Sequence, residues 1–229
     1  PDALKELIKE TVAEEPAPEA WMLLAQANFQ IKRHDRALGN IDKAMSEARR
    51  RAMAPKENWY LLARMIHYEK GDLRRTASVL EVLAGQWPKK DYFVQLAAVY
   101  GELKDAQRQL AVMETAYLAG WLGIERELLN MAYLYLGGNM PWKAARVLEK
   151  GVEAGQIEAS ARNLELTGIA LRQARENRRA IAWLERAAAL AGDAEMWARL
   201  ASLQLDEDAS EQAVEAARRA GAAVSLDLN

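Results

Sequence analysis

Apolar residues recur along this chain at intervals of three and four positions, with charged residues between them. That spacing places the apolar side chains on one face of an α-helix. Runs of β-branched residues and strict alternation of apolar and polar residues, which are typical of strands, are missing. The 229 residues include only six prolines and thirteen glycines, so helices can run without interruption for several turns. The pattern therefore predicts an all-α protein.

The helical pattern also repeats along the chain. A large apolar residue, here called the anchor and numbered position 0, is usually followed at positions 3 and 4 by residues that let a neighbouring helix approach, as in Trp21, Leu24 and Ala25. A small residue follows at position 16, as in Ala37, and marks a second helix. Each copy thus predicts one helical hairpin. Six anchors occur, at intervals of 39, 33, 35, 36 and 33 residues: Trp21, Tyr60, Phe93, Leu128, Leu164 and Trp197.

The repeat length indicates how these hairpins are organised. Two amphipathic helices cannot bury their apolar faces alone, so repeated hairpins stack on one another. The intervals lie close to the 34 residues of the tetratricopeptide repeat (TPR). We therefore expect an all-α, TPR-type α-solenoid, which is a right-handed superhelix of helix-turn-helix repeats. Six degenerate repeats are predicted at about 18–56, 57–89, 90–124, 125–160, 161–193 and 194–221.

Both ends of the chain fall outside these six repeats. Residues 1–17 are predicted to hold one amphipathic helix, with apolar residues from Leu4 to Val12, followed by a linker. This helix resembles the second helix of a preceding repeat. Residues 222–229 are predicted to be a tail, and no polar capping helix precedes it. Because a solenoid needs covered ends, we expect a longer native protein or self-association through the solenoid ends.

Charge and composition exclude several classes of protein. The 31 basic and 33 acidic residues give a net charge of −2, which creates no field that would gather nucleic acid or an anionic membrane. The absence of cysteine excludes disulfides and thiolate zinc sites. The chain has no run of 18 apolar residues, so we expect no direct insertion into a membrane. The first residues do not form a signal peptide, so a mature or excised fragment is expected.

Groups that carry catalysis or hold metals do not converge in this pattern. The two histidines, His34 and His67, lie in different predicted repeats, and no glycine-rich phosphate loop is present. The acidic cluster at 206–208 lacks the glycine and the final glutamate of a calcium loop, so we expect a solvated turn. The sequence therefore predicts no catalytic, cofactor-binding or metal-binding residues, and a protein that is not an enzyme.

The first helix of each hairpin in a TPR array lines the concave surface, and positions 1, 5 and 8 point into it. These positions are mainly apolar in the first four repeats and include methionine and tyrosine, which suit adaptable recognition of a peptide segment. As an alternative, another repeat or a terminal helix fills the groove. The predicted partner groove consists of Met22, Gln26, Phe29, Leu61, Met65, Tyr68, Val94, Leu129, Tyr133, Leu136 and Ile169.

Five short segments of the central repeats are similar to those of a known family. The segments are ENWYLL at 57–62, QWPKK at 86–90, QLAAVYGEL at 95–103, KAARVLEKG at 143–151 and NLEL at 163–166. Over about residues 57–190, these segments resemble the periplasmic TPR proteins encoded beside TonB, ExbB and ExbD, the TtpC-like group.

The resemblance implies a non-enzymatic, periplasmic component of a TonB-dependent energy-transduction system that supports iron uptake. Its partners would then be found among TonB, ExbB and ExbD. An alternative function for the same solenoid is that of a TPR adaptor in cell-envelope assembly, at the peptidoglycan or the outer membrane. In both cases the sequence predicts a scaffold that binds protein partners.

Overall fold

The structure, a computed structural model, describes residues 16–227. Every regular element in this range is an α-helix, so the predicted all-α class is confirmed. The described residues form α1 (Pro18–Gln30), α2 (His34–Arg50), α3 (Glu57–Glu69), α4 (Leu73–Gln86), α5 (Lys90–Glu102), α6 (Ala106–Leu118), α7 (Glu125–Gly137), α8 (Pro141–Glu153), α9 (Ala161–Gln173), α10 (Asn177–Ala191), α11 (Ala194–Asp206) and α12 (Ser210–Asp227).

These helices fall into six pairs, and one pair begins in each of the six predicted repeat ranges. The last helix, α12, continues to Asp227 and therefore includes most of the segment 222–229 that was predicted to be a tail. The amphipathic helix predicted within residues 1–17 falls on the part of the chain that lies outside the described residues.

One turn geometry joins the two helices of every pair. The residue at position 11 has a left-handed backbone in all six turns, with φ between 56° and 71°. This conformation lets the backbone N–H of position 12 donate to the carbonyl of position 7, over 2.8 to 2.9 Å in each turn. Each first helix is therefore closed by the same hydrogen bond. The position-11 residues are Lys32, Gly71, Lys104, Asn139, Arg175 and Asp208.

The described residues divide into two compact units, one up to Val112 and one from Met113. In the first unit, one buried cluster combines side chains of α1, α2 and α3, such as Ala25, Ile41 and Trp59. A second cluster combines α4 and α5, with Leu80 and Tyr92 among its members. Both clusters join a second helix to the first helix of the next hairpin, which is the stacking that the repeat predicts.

The second unit has the same organisation. The small residues at position 16, Ala144 and Ala180, are fully buried, as are the apolar residues Leu148 and Leu164. Small side chains at these positions let the two helices of a hairpin lie close together. Leu200 of α11 is also fully buried and extends the same core toward α12.

Helices α9 and α10 approach each other closely at Gly168. A Cβ atom added to Gly168 would lie 2.6 Å from Leu184 Cγ and 3.4 Å from the carbonyl oxygen of Ala180. The first distance is shorter than a normal carbon–carbon contact, so the glycine is required by space and not by backbone conformation. Gly168 occupies position 4, which the sequence predicts to be a place of helix approach.

Replacing Gly168 with alanine is expected to lower the free energy of unfolding by about 1–3 kcal/mol, because the added methyl group displaces Leu184 or the helix that carries it. Gly85 in α4 is the matched control, since nothing lies within 4 Å of its Cβ position. Gly85→Ala should raise the free energy of unfolding by about 0.5–1 kcal/mol. Denaturant unfolding followed by circular dichroism measures both variants, and equal stabilities would contradict the close approach.

Candidate functional site

The exposed part of the predicted groove in the first unit lies on α3. Met65 at position 5 and Tyr68 at position 8 are 36% and 52% exposed. They are one helical turn apart, so their side chains lie on the same face of α3. Gln26, at position 5 of α1, is also exposed, and Leu61 and Val94 at position 1 are half-buried. Position 5 is thus exposed on all three first helices of this unit, whereas position 1 is buried or half-buried.

Met22 differs from the prediction. Its side chain is 4% exposed and belongs to the buried cluster that joins α1, α2 and α3. A long, flexible methionine side chain can reach into a gap between helices, and here it fills the core instead of lining a groove. Phe29 is half-buried and stacks on His34, with the ring centroids 5.8 Å apart, so much of its surface is already covered.

In the second unit, the predicted groove residues surround a depression on α7. Tyr133 at position 5 is 46% exposed, and Leu129 at position 1 is half-buried. Both line an open cavity of 580 Å³, which gives these two predicted positions a common surface. Leu136 is half-buried beyond it, and Ile169 is exposed on α9.

The sequence prediction missed one member of this depression. Ile124 precedes α7 and is more than half exposed, and it lines the cavity beside Leu129 and Tyr133. It lies four residues before the anchor, outside the positions that helical geometry selects. The rim of the cavity is polar, because Glu125, Arg126 and Asn130 complete its lining. An apolar floor with a polar rim is the usual composition of a protein-binding surface.

Hydrogen bonds and ion pairs to acidic side chains join successive hairpins, and we call this set of contacts the carboxylate ladder. At a ladder site, the acidic residue at position 21 of one repeat binds position 7, position 15 or both of the next repeat. In the first unit, the Tyr100 hydroxyl donates to Glu81, and the Arg108 guanidinium lies 5.6 Å from the centre of the Tyr100 ring. Burial, followed by this hydrogen bond, raises the pKa of Tyr100, which remains a neutral donor.

The next ladder site is in the second unit and is fully paired. Tyr135 Oη donates to Glu114 Oε1 over 2.9 Å, and Lys143 Nζ donates to the same oxygen over 2.7 Å. The Lys143 ammonium, together with the Tyr135 hydroxyl, holds the pKa of Glu114 below its usual value of 4.5. The carboxylate is therefore ionised at neutral pH and fixes two residues of the following hairpin.

The following ladder site is the most buried. Glu149 is 8% exposed, and both of its oxygens accept from Arg179 Nη2, over 2.7 and 2.6 Å. Position 7 is here Leu171, which cannot donate, so the guanidinium alone neutralises the carboxylate.

The ladder was missed in the sequence, although a signal for it exists. Position 21 is acidic in the first five repeats and position 15 is basic in the same five. Each residue separately resembles an ordinary charged surface position, so only alignment of all repeats reveals the pairing. The acidic residues are Asp42, Glu81, Glu114, Glu149 and Glu185, and the basic residues are Arg36, Arg75, Arg108, Lys143 and Arg179.

The two histidines have separate surroundings. His34 Nε2 lies 3.3 Å from Glu69, and His67 Nδ1 lies 4.0 Å from Asp72. Burial lowers the pKa of His67, and the nearby carboxylates of Asp72 and Asp42 oppose that shift. Within the described residues, no group of three or more His, Cys, Asp or Glu side chains could hold a metal ion. Nor is any described helix both long and apolar enough to cross a membrane.

Comparison with known proteins identifies the fold. No protein-family model matches the chain, and no curated protein matches its sequence. Its fold is similar to solved structures of MamA. MamA MSR-1 has a TM-score of 0.51 at 16% identity, with 75% of this chain and 98% of that chain covered. MamA AMB-1 has a TM-score of 0.51 at 18% identity, with 72% and 96% covered. A double mutant of MamA from Desulfovibrio magneticus RS-1 has a TM-score of 0.50 at 18% identity, with 76% and 98% covered.

These similarities, together with the paired helices and their common turn, confirm the TPR-type helical-repeat fold. Sequence identities of 16% and 18% support a shared fold, but they do not assign a function.

Arg179→Gln is expected to lower the free energy of unfolding by about 1–3 kcal/mol, because it leaves the Glu149 carboxylate buried without its cation. Arg178→Gln is the matched control, since the Arg178 side chain is 92% exposed and its nearest carboxylate is 3.9 Å away. The free energy of unfolding of Arg178→Gln should stay within about 0.5 kcal/mol of that of wild type. Denaturant unfolding of the two variants makes the comparison, and similar losses would contradict the ladder site.

Acid is expected to weaken the Glu114 site. Folding lowers the pKa of Glu114 below its usual value of 4.5. The stabilisation by its carboxylate is therefore complete above pH 4.5 and is lost as the pH falls through the pKa of Glu114 in the folded protein. Glu114→Gln should therefore be less stable than wild type at pH 7, and the difference in melting temperature should shrink as the pH falls below about 5. Calorimetry across this range measures the difference, and a constant one would contradict the assignment.

Proposed function

We propose that this chain is a non-enzymatic scaffold that binds protein partners through the first helices of its hairpins. The observation that carries the proposal is the exposure of large apolar side chains at the predicted groove positions. Met65 and Tyr68 are exposed in the first unit, and Tyr133 and Ile169 in the second. Side chains of this size normally add to a core, so their place on the outer face of a packed helix favours contact with a partner.

The chemistry of these residues favours an apolar partner segment with polar flanks. Methionine adapts its shape to a ligand, and tyrosine combines a large apolar ring with a hydroxyl group that can remain hydrated. In the second unit, the 580 Å³ depression beside Tyr133 has room for one or two apolar side chains of such a segment. Glu125 and Arg126 at its rim offer one charge of each sign to the flanks.

The resemblance of residues 57–190 to the TtpC-like group gives the partner a more specific identity. The scaffold is then a periplasmic accessory component of a TonB-dependent system for iron uptake, and its partners include TonB, ExbB or ExbD. The support is the sequence of the central repeats, such as QWPKK at 86–90 and KAARVLEKG at 143–151. The same solenoid would also serve as an adaptor in cell-envelope assembly, so the experiment has to separate the two.

Direct binding between purified proteins tests this proposal. The soluble periplasmic parts of TonB and ExbD from the same organism are titrated with wild type and with the double variant Met65→Glu/Tyr133→Glu. A charge at each exposed apolar position is expected to weaken binding at least about tenfold, because the carboxylates lose water on contact with the partner. Isothermal calorimetry measures the affinities.

Leu118→Glu is the control, because Leu118 is 76% exposed on α6, a second helix. It should bind as wild type does. Equal binding of the double variant would contradict the groove. Absence of binding to both TonB and ExbD, combined with groove-dependent binding to a purified envelope-assembly protein, would favour the adaptor function instead.

A further inference from the structure

The last site of the carboxylate ladder is incomplete. At this site Gln204 Nε2 donates to Glu185 Oε1 over 2.9 Å, as the position-7 tyrosines do at earlier sites. Position 15 is Gln212, although it is lysine or arginine in the first five repeats. No ion pair in the described part of the chain involves Glu185. This carboxylate therefore has its neutral partner but lacks the cation that neutralises Glu114 and Glu149.

Gln204 carries an unused acceptor at the same place. The residue is 2% exposed, and its Oε1 atom is buried without a hydrogen-bond partner. The orientation of the amide is fixed by the bond to Glu185, since a carboxylate accepts only from the NH₂ group. A buried carbonyl oxygen without a donor is rare in proteins, because burial removes its hydrogen bonds to water and no protein donor replaces them. The Glu185 carboxylate thus lacks a paired cation, and the Gln204 carbonyl oxygen lacks an N–H donor.

A cavity of 650 Å³ opens at this position, between α10, α11 and α12. Glu185 and Gln204 line it, together with Glu211 and Glu215, and the Trp197 ring forms part of its wall. Two cations also lie there, but both are engaged. Arg186 covers the ring of Trp183, and Arg219 covers Trp197 and pairs with Glu215. Three carboxylates against two guanidinium groups leave the cavity with an excess of one negative charge.

We infer that this cavity binds the guanidinium group of an arginine side chain supplied by a partner protein. The group takes the place of the missing ladder cation and donates its N–H groups to Glu185, beside the Gln204 amide. The neighbouring ladder site provides the precedent within this chain, because Arg179 binds both oxygens of Glu149. A planar guanidinium offers several donors in one plane, which suits a carboxylate beside an amide oxygen. The cavity shares no residue with the predicted groove, so this inference is independent of the proposed function.

An NMR titration of the ¹⁵N-labelled protein tests the inference, with Nα-acetyl-arginine amide as the probe. The reporters are the Gln204 side-chain amide and the Trp197 indole N–H, assigned from Gln204→Leu and Trp197→Phe. Saturable shifts of both reporters are expected. Nα-acetyl-citrulline amide, a neutral probe of nearly the same shape, should bind at least about tenfold more weakly because it lacks the charge. Equal binding of the two probes would overturn the inference.

The variant Gln212→Arg supplies the missing cation from the chain itself. It is expected to raise the melting temperature and to abolish the shifts caused by the arginine probe. Val214→Arg is the control, because it adds the same charge at an exposed position of α12 that does not line the cavity. The control should keep binding and leave the melting temperature unchanged. Undiminished probe binding by Gln212→Arg would place the cation elsewhere and would overturn the inference.

A free diamine distinguishes a small-molecule ligand from an arginine side chain. Putrescine carries ammonium groups without the planar donors, so it should displace the arginine probe only at concentrations at least about tenfold higher. Displacement by putrescine at equal or lower concentration would contradict the inferred guanidinium specificity.

Discussion

Burial of one hairpin's apolar face by the next hairpin is the constraint on which the rest of this structure depends. Helices of thirteen residues, such as α1 and α3, are too short to be stable alone and need packed neighbours. Ile41 and Trp59 belong to different hairpins but to one buried cluster, which shows how the faces are shared. The carboxylate ladder adds direction, because a bond such as Tyr135 to Glu114 forms only in one register. Apolar contact therefore supplies stability, and the ladder fixes the register of stacking.

The sequence was sufficient for the fold because six copies of one spacing reinforce each other. Small residues at position 16, such as Ala37 and Ala144, are fully buried, as a close helix pair requires. The common turn could not be predicted in the same way. Its left-handed residue is glycine only at Gly71, and residues such as Lys104 and Arg175 have no preference for that conformation. The hydrogen bond between positions 12 and 7 imposes it instead.

The candidate site was predictable only where helical geometry decides exposure. Position 5 is exposed from Gln26 to Ile169, whereas position 1 is buried or half-buried in the same five repeats. Met22 could not be placed from its sequence position, since a flexible side chain takes whichever space the neighbouring helix leaves. The absence of a cation opposite Glu185 could not be recognised from the sequence. Only the structure shows that position 15 of one repeat lies beside the carboxylate at position 21 of the repeat before it.

In the proposed function, the first helices bind a partner at position 5, while position 7 maintains the fold. The most direct test measures melting temperature and partner affinity together, for Tyr133→Lys at position 5 and for Tyr135→Phe at position 7 of the same helix. We expect Tyr133→Lys to lose affinity with little change in melting temperature, since the Tyr133 side chain is 46% exposed. We expect Tyr135→Phe to lower the melting temperature and to keep the affinity of the folded protein. The reverse pattern would contradict the division of roles.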